Sequence, residues 1–424
     1  MSTRPGRTMC MSLALAVACT SAFPLLARAE LAAEELGRSL SVGPPGDHWS
    51  YYLDFELGTF NGRYVLMDAD TTDYLAHVSA GQMPTLDIAP DGKEIYVTST
   101  SYEYLVDGDR HDFVTIFDTT DYASQGRIEL PSGKRALMAS LRRSTLLRDS
   151  RFLVVYNYTP ATSLSVVDLE RREHVMDVDT PGCHLVYPTG ERGVSMLCGD
   201  GSLQTYHFGE AGKLRAQERS KPFFDPQVDH LKTNAAAIGD TWYFVSYSGD
   251  VYPVDLSGES PRFESPWALV DHDKKPANII QALFTMGKAG PWLPGGMQLA
   301  ATHEARGELY VIMHPIFWSE SKGDHDFPGP EVWVYDIRSK ERVRRIKSRG
   351  VVMSINVTPD DAPVLTAFGA DIKTEATRLE VYDAISGKFL REMVEYGQAA
   401  LEFEPVAQPG NALSLVDATK ENAQ

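Results

Sequence analysis

Hydrophobic and polar residues alternate with a period of two along most of the chain, and the alternating stretches recur in a fixed order. In each copy a β-rich run ends in Asp, a short polar turn follows, and a second β-rich run returns. Period-two alternation is typical of strands that bury one face. The run-ending residues are Asp68, Asp118, Asp168, Asp255, Asp336 and Asp383, with a degenerate copy at His207. The pattern predicts an all-β protein built from internal repeats.

The spacing of these seven markers predicts how the repeats are arranged. Five of the six intervals are 39 to 50 residues long, and the interval from Asp255 to Asp336 is 81 residues long. One four-stranded propeller blade takes roughly 40–50 residues. The long interval holds one blade and an insertion, because residues 271–296 are rich in Lys, Pro and Gly and do not alternate. We predict a seven-bladed β-propeller over residues 50–416.

The marker aspartates have a structural interpretation. An Asp at the end of a strand commonly accepts hydrogen bonds from backbone N–H groups of the turn that follows. Tight-turn signals such as Pro90–Gly92 precede other strands of the repeat. We therefore interpret the aspartates as turn residues and not as catalytic carboxylates.

Residues 1–29 have the features of an export signal. Arg4 and Arg7 precede an apolar stretch, and Ala27–Ala29 has the small-x-small form that signal peptidase cuts. We expect cleavage after Ala29 and a periplasmic location.

Two alternatives for this leader are weaker. A membrane anchor is disfavoured because Ser21 and Pro24 interrupt the apolar stretch. Lipid attachment at Cys19 is disfavoured because Ala16 stands where a lipobox prefers Leu. No membrane association is expected.

Short segments flank the propeller. Residues 30–49 form a predicted N-terminal arm, with helical periodicity over 31–40. Residues 417–424 are polar, and we expect a frayed tail.

The charge balance excludes one class of partner. The formal net charge is −18, whereas a nucleic-acid-binding protein usually presents a basic face. The basic runs are short, at Arg142–Arg143 and Arg342–Lys347, and are typical of solvated strand edges. No nucleic acid is expected as a partner.

Two cysteines remain after the signal is removed. An even pair in an exported protein favours one disulfide. The segment between Cys183 and Cys198 is long enough to run out along one strand and back along the next, which places the sulfurs side by side. Two free buried thiols are the alternative.

Motifs that carry chemistry are missing from the sequence. It contains no C-x-x-C-H haem motif, no H-E-x-x-H, no G-x-S-x-G, no Walker loop and no G-x-G-x-x-G. Asp107–Asp112 has carboxylates at suggestive spacing but lacks the Gly and Glu of a calcium loop. His303, His314 and His325 are evenly spaced, but on strands this spacing does not surround one metal. We expect no catalytic group and no metal site in this chain.

Aromatic residues cluster in predicted loops. The clusters are His48–Tyr52, Pro266–Trp267, Pro291–Trp292 and Phe317–Trp318. Exposed aromatics on loops can be interface anchors, and they can equally fill the centre of the propeller. The sequence leaves both interpretations open.

Several short stretches, in order along the chain, carry a family resemblance. They include Pro181–Cys183 with Cys198–Gly201, Phe208–Lys213, Phe244–Tyr247, Trp292 with Pro294–Gly296, Tyr310–Val311 with Met313–Pro315, and Phe327–Pro328. With these residues, spread over roughly 50–405, the chain resembles the heavy subunits of tryptophan tryptophylquinone amine dehydrogenases. It looks closer to the aromatic (aralkylamine) branch than to the methylamine branch.

The resemblance implies a function for the assembled protein. It implies a disulfide between Cys183 and Cys198 and a periplasmic complex of two heavy and two light subunits. The tryptophan tryptophylquinone cofactor and the catalytic base belong to the small, cysteine-rich light subunit, so this chain carries no cofactor. The implied reaction is oxidative deamination of a primary amine to an aldehyde and ammonia. Electrons then pass to a blue copper protein similar to amicyanin or azurin.

The resemblance also suggests where the substrate channel lies. In the family, the heavy subunit contributes an aromatic side chain from the segment before the first Asp-ended strand. The candidates here are Phe55, Leu57 and Phe60, and the alternative alignment puts Gly58 at the expected position. The extra stretch Ile279–Gly290 also departs from the family pattern, so the identity of the amine does not follow.

Two other functions compete with the heavy-subunit interpretation. One is a stand-alone periplasmic propeller that binds or scaffolds without a catalytic partner. The other is a propeller lactonase with a central metal, which requires converging Glu, Asn, Asp and His residues that the sequence does not display.

Overall fold

Strands account for all the regular secondary structure of the described residues. The computed structural model describes residues 41–55, 61–104, 107–131, 142–271, 292–315, 327–371, 373–374, 376–397 and 400–406. Within these ranges lie 28 strands and no helix. The predicted all-β class is confirmed.

Several predictions fall on other parts of the chain. The export signal, the helical stretch 31–40, the insertion Ile279–Gly290 and the tail 417–424 lie outside the described residues. They stay predictions.

The strands form five antiparallel sheets. The first sheet contains, in spatial order, β28 (Ala400–Pro405), β1 (Trp49–Phe55), β2 (Asn61–Asp68), β3 (Asp73–Ile88), β4 (Glu94–Tyr104), β5 (Asp107–Asp118) and β6 (Ser124–Leu130). The second contains β10 (Glu173–Asp179), β9 (Ser163–Asp168), β8 (Phe152–Asn157) and β7 (Ser144–Leu146). The third contains β11 (Cys183–Thr189), β12 (Gly193–Cys198), β13 (Leu203–Phe208) and β14 (Leu214–Arg219).

In the last two sheets, too, neighbouring strands follow one another mainly in chain order. The fourth contains β15 (Ala236–Ile238), β16 (Thr241–Val245), β17 (Asp250–Asp255) and β18 (Arg262–Phe263), with β19 (Trp267–Ala268) also paired to β17. The fifth contains β20 (Trp292–Pro294), β22 (Glu308–Pro315), β23 (Gly329–Asp336), β24 (Glu341–Val357), β25 (Val364–Ala370), β26 (Thr377–Asp383) and β27 (Phe389–Val394), with β21 (Ala300–His303) paired to β22.

Each of two long strands, β3 and β24, pairs with a different neighbouring strand along each of its two halves. The first part of β3, up to Gln82, pairs with β2, and the remainder pairs with β4. The change occurs where Gly81 and Met83 have positive φ angles of 65° and 48°. In the same way, the first part of β24 pairs with β23 and the second part with β25. Both long strands therefore join two four-stranded halves of a larger sheet.

Hydrophobic clusters link the five sheets in a closed order. Separate clusters join the first sheet to the second, the second to the third, the third to the fourth and the fourth to the fifth. Another joins the fifth sheet back to the first, where Tyr52 and Val65 pack with Phe368 and Leu379. The C-terminal strand β28 also pairs with β1. The chain thus closes a ring of sheets whose core lies between neighbouring sheet faces.

The marker aspartates end their strands as predicted. Six of the seven markers are aspartates, and each is the last residue of a strand, namely β2, β5, β9, β17, β23 and β26. Asp118 Oδ1, for example, accepts the backbone N–H of Thr120 at 2.7 Å, and Asp383 Oδ1 accepts that of Ser386 at 2.7 Å. Equivalent bonds form at the other four aspartates. Their structural interpretation is confirmed.

The two mature cysteines are joined in the third sheet. Cys183 begins β11 and Cys198 ends β12, and the two residues are direct partners across this hairpin. Their sulfurs form a disulfide, with the Cα atoms 4.0 Å apart. The structure therefore contains the disulfide and not the alternative of two free thiols.

Candidate functional site

The connections between strands divide into two sets because neighbouring strands are antiparallel. One set follows the marker aspartates, and we call the end of the sheets that carries it the Asp-turn end. The opposite set includes the connection between β1 and β2, which contains the channel candidates Leu57 and Phe60. We call this opposite end the channel end.

Phe55 is the last residue of β1 and lies at the channel end. Its side chain is 4% exposed and packs in the cluster that includes Leu53, Leu66 and Val78. In the single chain it is therefore a core residue, and its role in a channel stays a prediction. Leu57 and Phe60 lie outside the described residues.

An ion pair fixes the strands that present this segment. Asp54 Oδ2 accepts hydrogen bonds from Nε and Nη2 of Arg63, at 2.9 and 2.7 Å. The two residues face each other across β1 and β2, and Asp54 is buried. Gly397 approaches closely, since an added Cβ would lie 2.7 Å from Asp54 Oδ1. This pair was not predictable from the sequence, because it depends on the register of the hairpin.

Exposed apolar side chains stand at the channel end. Tyr104 ends β4 and is 67% exposed, Tyr158 follows β8 and is 53% exposed, and Val228 lies before β15 and is 81% exposed. Large exposed aromatics are favoured at the centres of protein interfaces. These residues are candidates for contact with a partner, and they were not among the residues predicted from the sequence.

The aromatic clusters noted in the sequence have a different role. Tyr51, Tyr52 and Trp292 are buried between strands. The interpretation of these three as interface anchors is wrong. Other strands of the first sheet cover Tyr51, and a neighbouring sheet covers Tyr52 and Trp292. Phe317 and Trp318 lie outside the described residues.

The acidic stretch Asp107–Asp112 belongs to strand β5 at the channel end. Asp112 is buried and accepts hydrogen bonds from Thr100 Oγ1 at 2.6 Å and Arg110 Nε at 3.1 Å. Arg110 Nη1 in turn donates to Thr159 Oγ1 at 3.1 Å, in the neighbouring sheet. Asp112 thus serves packing, and no group of three metal-ligating side chains occurs among the described residues.

One basic run differs from its prediction. Arg143 is buried, and the guanidinium carbon of Arg142 lies 4.7 Å from the ring centroid of Trp242. The Arg142 carbonyl also accepts the N–H of Val186 at 2.7 Å. Arg142, which lies just before β7, thus contacts the third sheet through its carbonyl and the fourth sheet through its side chain. The expectation of a solvated strand edge is wrong here, whereas most of Arg342–Lys347 is exposed as expected.

The histidines are structural where the structure describes them. His303 is buried and its Nε2 lies 2.8 Å from the Asp360 carbonyl. His314 is buried with Nδ1 3.1 Å from the Pro315 carbonyl. His325 lies outside the described residues.

Ion pairs between sheets concentrate at the Asp-turn end. Arg192 pairs with Asp149 at 2.7 Å, joining the third sheet to the second. Others are Arg148–Asp240 at 2.7 Å, Arg215–Glu259 at 2.5 Å and Arg391–Asp70 at 3.2 Å. These eight charged side chains are thus occupied by contacts between sheets. The exposed apolar groups at the channel end favour that end for a partner.

Comparisons with known proteins point to one family. The model of the methylamine dehydrogenase heavy chain family matches residues 51–402. The methylamine dehydrogenase heavy chain of Methylophilus methylotrophus is 28% identical over 367 residues, covering 85% of this chain and 84% of the relative. That of Methylobacillus flagellatus is 27% identical over 365 residues, covering 85% of this chain and 86% of the relative.

Solved structures show a similar fold. The match to a dihydro-heme d1 dehydrogenase covers 87% of this chain and 77% of that protein's chain, with a TM-score of 0.51 and 13% sequence identity. At that identity the likeness concerns the fold alone. It supports an architecture of the propeller type.

Proposed function

The chain belongs to the methylamine dehydrogenase heavy chain family, and from this we propose that it is the heavy, cofactor-free subunit of an exported amine dehydrogenase. The observation that carries the proposal is the match over residues 51–402, together with curated heavy chains aligned over most of both lengths. The predicted membership of this class of heavy subunits is confirmed. The closer relationship to the aromatic branch stays a prediction.

The proposed scaffold is a propeller of seven blades. Dividing β3 and β24 at the points where their pairing changes yields seven groups of mainly four strands. Seven hydrophobic clusters support this count, since each lies between two successive groups. Strand β28 completes the first blade beside β1.

The proposed partner is a small, cysteine-rich light subunit, in a complex of two heavy and two light chains. It docks at the channel end, where Tyr104, Tyr158 and Val228 are exposed. Phe55, Leu57 and Phe60 are the proposed contributors of this chain to the substrate channel. The tryptophan tryptophylquinone of the light subunit supplies the oxidising chemistry, and this chain positions that subunit.

The proposed reaction converts a primary amine and water to an aldehyde and ammonia. It releases two electrons and two protons, and the electrons pass to a blue copper protein. The proposed part of this chain is to scaffold the partner and to shape access for the amine.

The proposed location is the periplasm, with the signal cleaved after Ala29. The Cys183–Cys198 disulfide supports an oxidising compartment. None of the described segments is a helix with the length and apolarity that a membrane crossing requires.

Purification from the native source tests the proposal. We expect the chain to copurify with a small cysteine-rich subunit, to show quinone absorbance, and to reduce a blue copper protein when a primary amine is added. Isolation as a lone chain without quinone absorbance would overturn the proposal. That outcome would favour the stand-alone propeller.

A further inference from the structure

The imidazole of His48 lies between the first and fifth sheets, at the Asp-turn end. Its Nδ1 is 2.9 Å from Asp70 Oδ2, in the turn after β2. Its Nε2 is 3.2 Å from the Ala362 carbonyl and 3.4 Å from Asp360 Oδ1, in the turn after β24. The imidazole of His48 therefore contacts both the first and the fifth sheet, at the point where the ring of sheets closes.

Both ring nitrogens of His48 face oxygen acceptors. A neutral imidazole has one N–H donor, whereas the imidazolium has two. The carbonyl of Ala362 cannot donate, and an ionised Asp70 can only accept. Only the protonated ring satisfies both sides, so this geometry favours the charged form.

The surrounding charges act in the same direction. Asp70 and Asp360 are the acidic groups in contact with the ring. Arg391, from β27, contacts the other oxygen of Asp70 at 3.2 Å and donates to the Ala69 carbonyl at 2.6 Å. Burial alone would lower the pKa of His48, but the two carboxylates outweigh it and raise that pKa above its usual value. The pKa of Asp70 is lowered by His48 and Arg391 against the opposing effect of burial.

A second histidine lies on the far side of the same turn. His303 Nε2 donates to the Asp360 carbonyl at 2.8 Å, and its Nδ1 accepts the N–H of Arg306 at 3.3 Å. The turn that carries Asp360 is thus contacted by His303 on one side and by His48 on the other.

We propose that protonated His48 is a pH-sensitive clasp that fastens the first sheet to the fifth and so secures closure of the ring. In its charged form it donates to both sheets at once. Deprotonation removes one of the two donors and the attraction to Asp70 and Asp360. The raised pKa makes this stabilisation complete below the unfolded value of about 6.5, and it is lost as pH rises through the folded value.

Amide hydrogen exchange in β1 and β28, the strands that pair where the ring of sheets closes, tests the clasp. Full-length protein, with its partner if one copurifies, is compared with His48→Gln at matched pH values from 5.5 to 9. In the peptides that cover β1 and β28, the variant should exchange about tenfold faster at low pH, the effect expected for a lost charge-assisted hydrogen bond. The difference should shrink as pH rises. A difference that stays constant with pH would overturn the proposal, as would no difference at all.

Two further variants keep the test decisive. His174→Gln removes a histidine whose Nε2 contacts Asp177 at 2.9 Å within a single strand, so it should not change exchange in β1 or β28. If it changes exchange there with the same pH profile, the clasp is refuted. Should His48→Gln fail to fold, Asp70→Asn replaces it. That variant should shift the loss of protection to lower pH, and an unshifted profile would refute the clasp.

Discussion

The indole of Trp292 packs against the indole of Trp333, with ring centroids 5.2 Å apart. Trp292 begins β20, two residues after the predicted insertion Ile279–Gly290. The guanidinium carbon of Arg345 lies 5.3 Å from the Trp292 ring and 5.1 Å from the Trp333 ring. The chain is thus anchored in the fifth sheet from the first residue of β20.

This anchoring predicts a large stability loss for Trp292→Ala. Removing a buried indole leaves a cavity and should cost about 3–5 kcal/mol in the free energy of unfolding, measured by denaturant titration. Val228→Ala, at an 81% exposed position before β15, is the control and should cost well under 1 kcal/mol. A loss below 1 kcal/mol for Trp292→Ala would contradict the packing described.

The exposed aromatics predict how partner assembly can be blocked. Changing Tyr104 and Tyr158 together to Asp should abolish copurification of the light subunit, because charges would replace the apolar groups at the proposed interface. The fold should remain intact, since both side chains are largely exposed. Native mass measurement of the purified complex provides the readout.

The matched control is Val343→Asp. Val343 is 51% exposed on β24, away from the channel end. This variant should assemble as the unchanged chain does. Assembly by the double Tyr variant, or loss of assembly in the Val343 variant, would place the interface elsewhere.

Local chemistry made much of this fold predictable from the sequence. The turn at Asp383 depends on residues within three positions of it, so the marker aspartates identified strand ends correctly. The position of Arg142 was not predictable in this way. Its aromatic partner Trp242 comes from another sheet, far along the chain. The sequence left the role of Tyr52 open for the same reason, since the fifth sheet, far along the chain, covers its ring. Pairing between distant sheets leaves no local signal, and in the sequence the exposed Tyr104 and Tyr158 resemble ordinary strand residues.

The burial of Phe55 predicts that it matters for stability as well as for any channel. Phe55→Ala should cost about 3–5 kcal/mol in unfolding free energy even in the absence of a light subunit. Phe55→Leu, which retains most of the apolar volume, should cost less than 1.5 kcal/mol. Denaturant titration of the isolated chain measures both. A loss under 1 kcal/mol for Phe55→Ala would show that the ring serves only contacts outside this chain.

The disulfide predicts a stability that depends on redox conditions. Cys183 and Cys198 are 15 residues apart, and closing a loop of that length contributes about 3 kcal/mol by restricting the unfolded chain. Reductant should lower the thermal midpoint of the unchanged protein. The double variant Cys183→Ser/Cys198→Ser should start near the lower midpoint and show no response to reductant. An unchanged midpoint on reduction would mean that the bridge adds nothing to the sheet around it.

The turn aspartates predict a loss of stability in acid. The pKa of Asp383 is lowered, first by the backbone N–H of Ser386, and the pKa of Asp168 is lowered chiefly by hydrogen bonding from Arg151 against the opposing effect of burial. A carboxyl whose folded pKa is depressed contributes stability above its unfolded pKa, near 3.9, and loses it as pH falls through the folded value. Unfolding free energy should therefore decline steeply below about pH 4.

Two variants at Asp383 test this. Asp383→Asn keeps an oxygen acceptor for the turn but has no charge to lose, so its unfolding free energy should decline less steeply with falling pH than that of the unchanged protein. Asp383→Ala removes the acceptor as well and should cost about 1 kcal/mol at neutral pH. Denaturant titrations at pH 7, 4 and 3 measure the unfolding free energy of the three proteins. If it declines equally in the unchanged protein and in Asp383→Asn, the acid sensitivity belongs to other carboxylates.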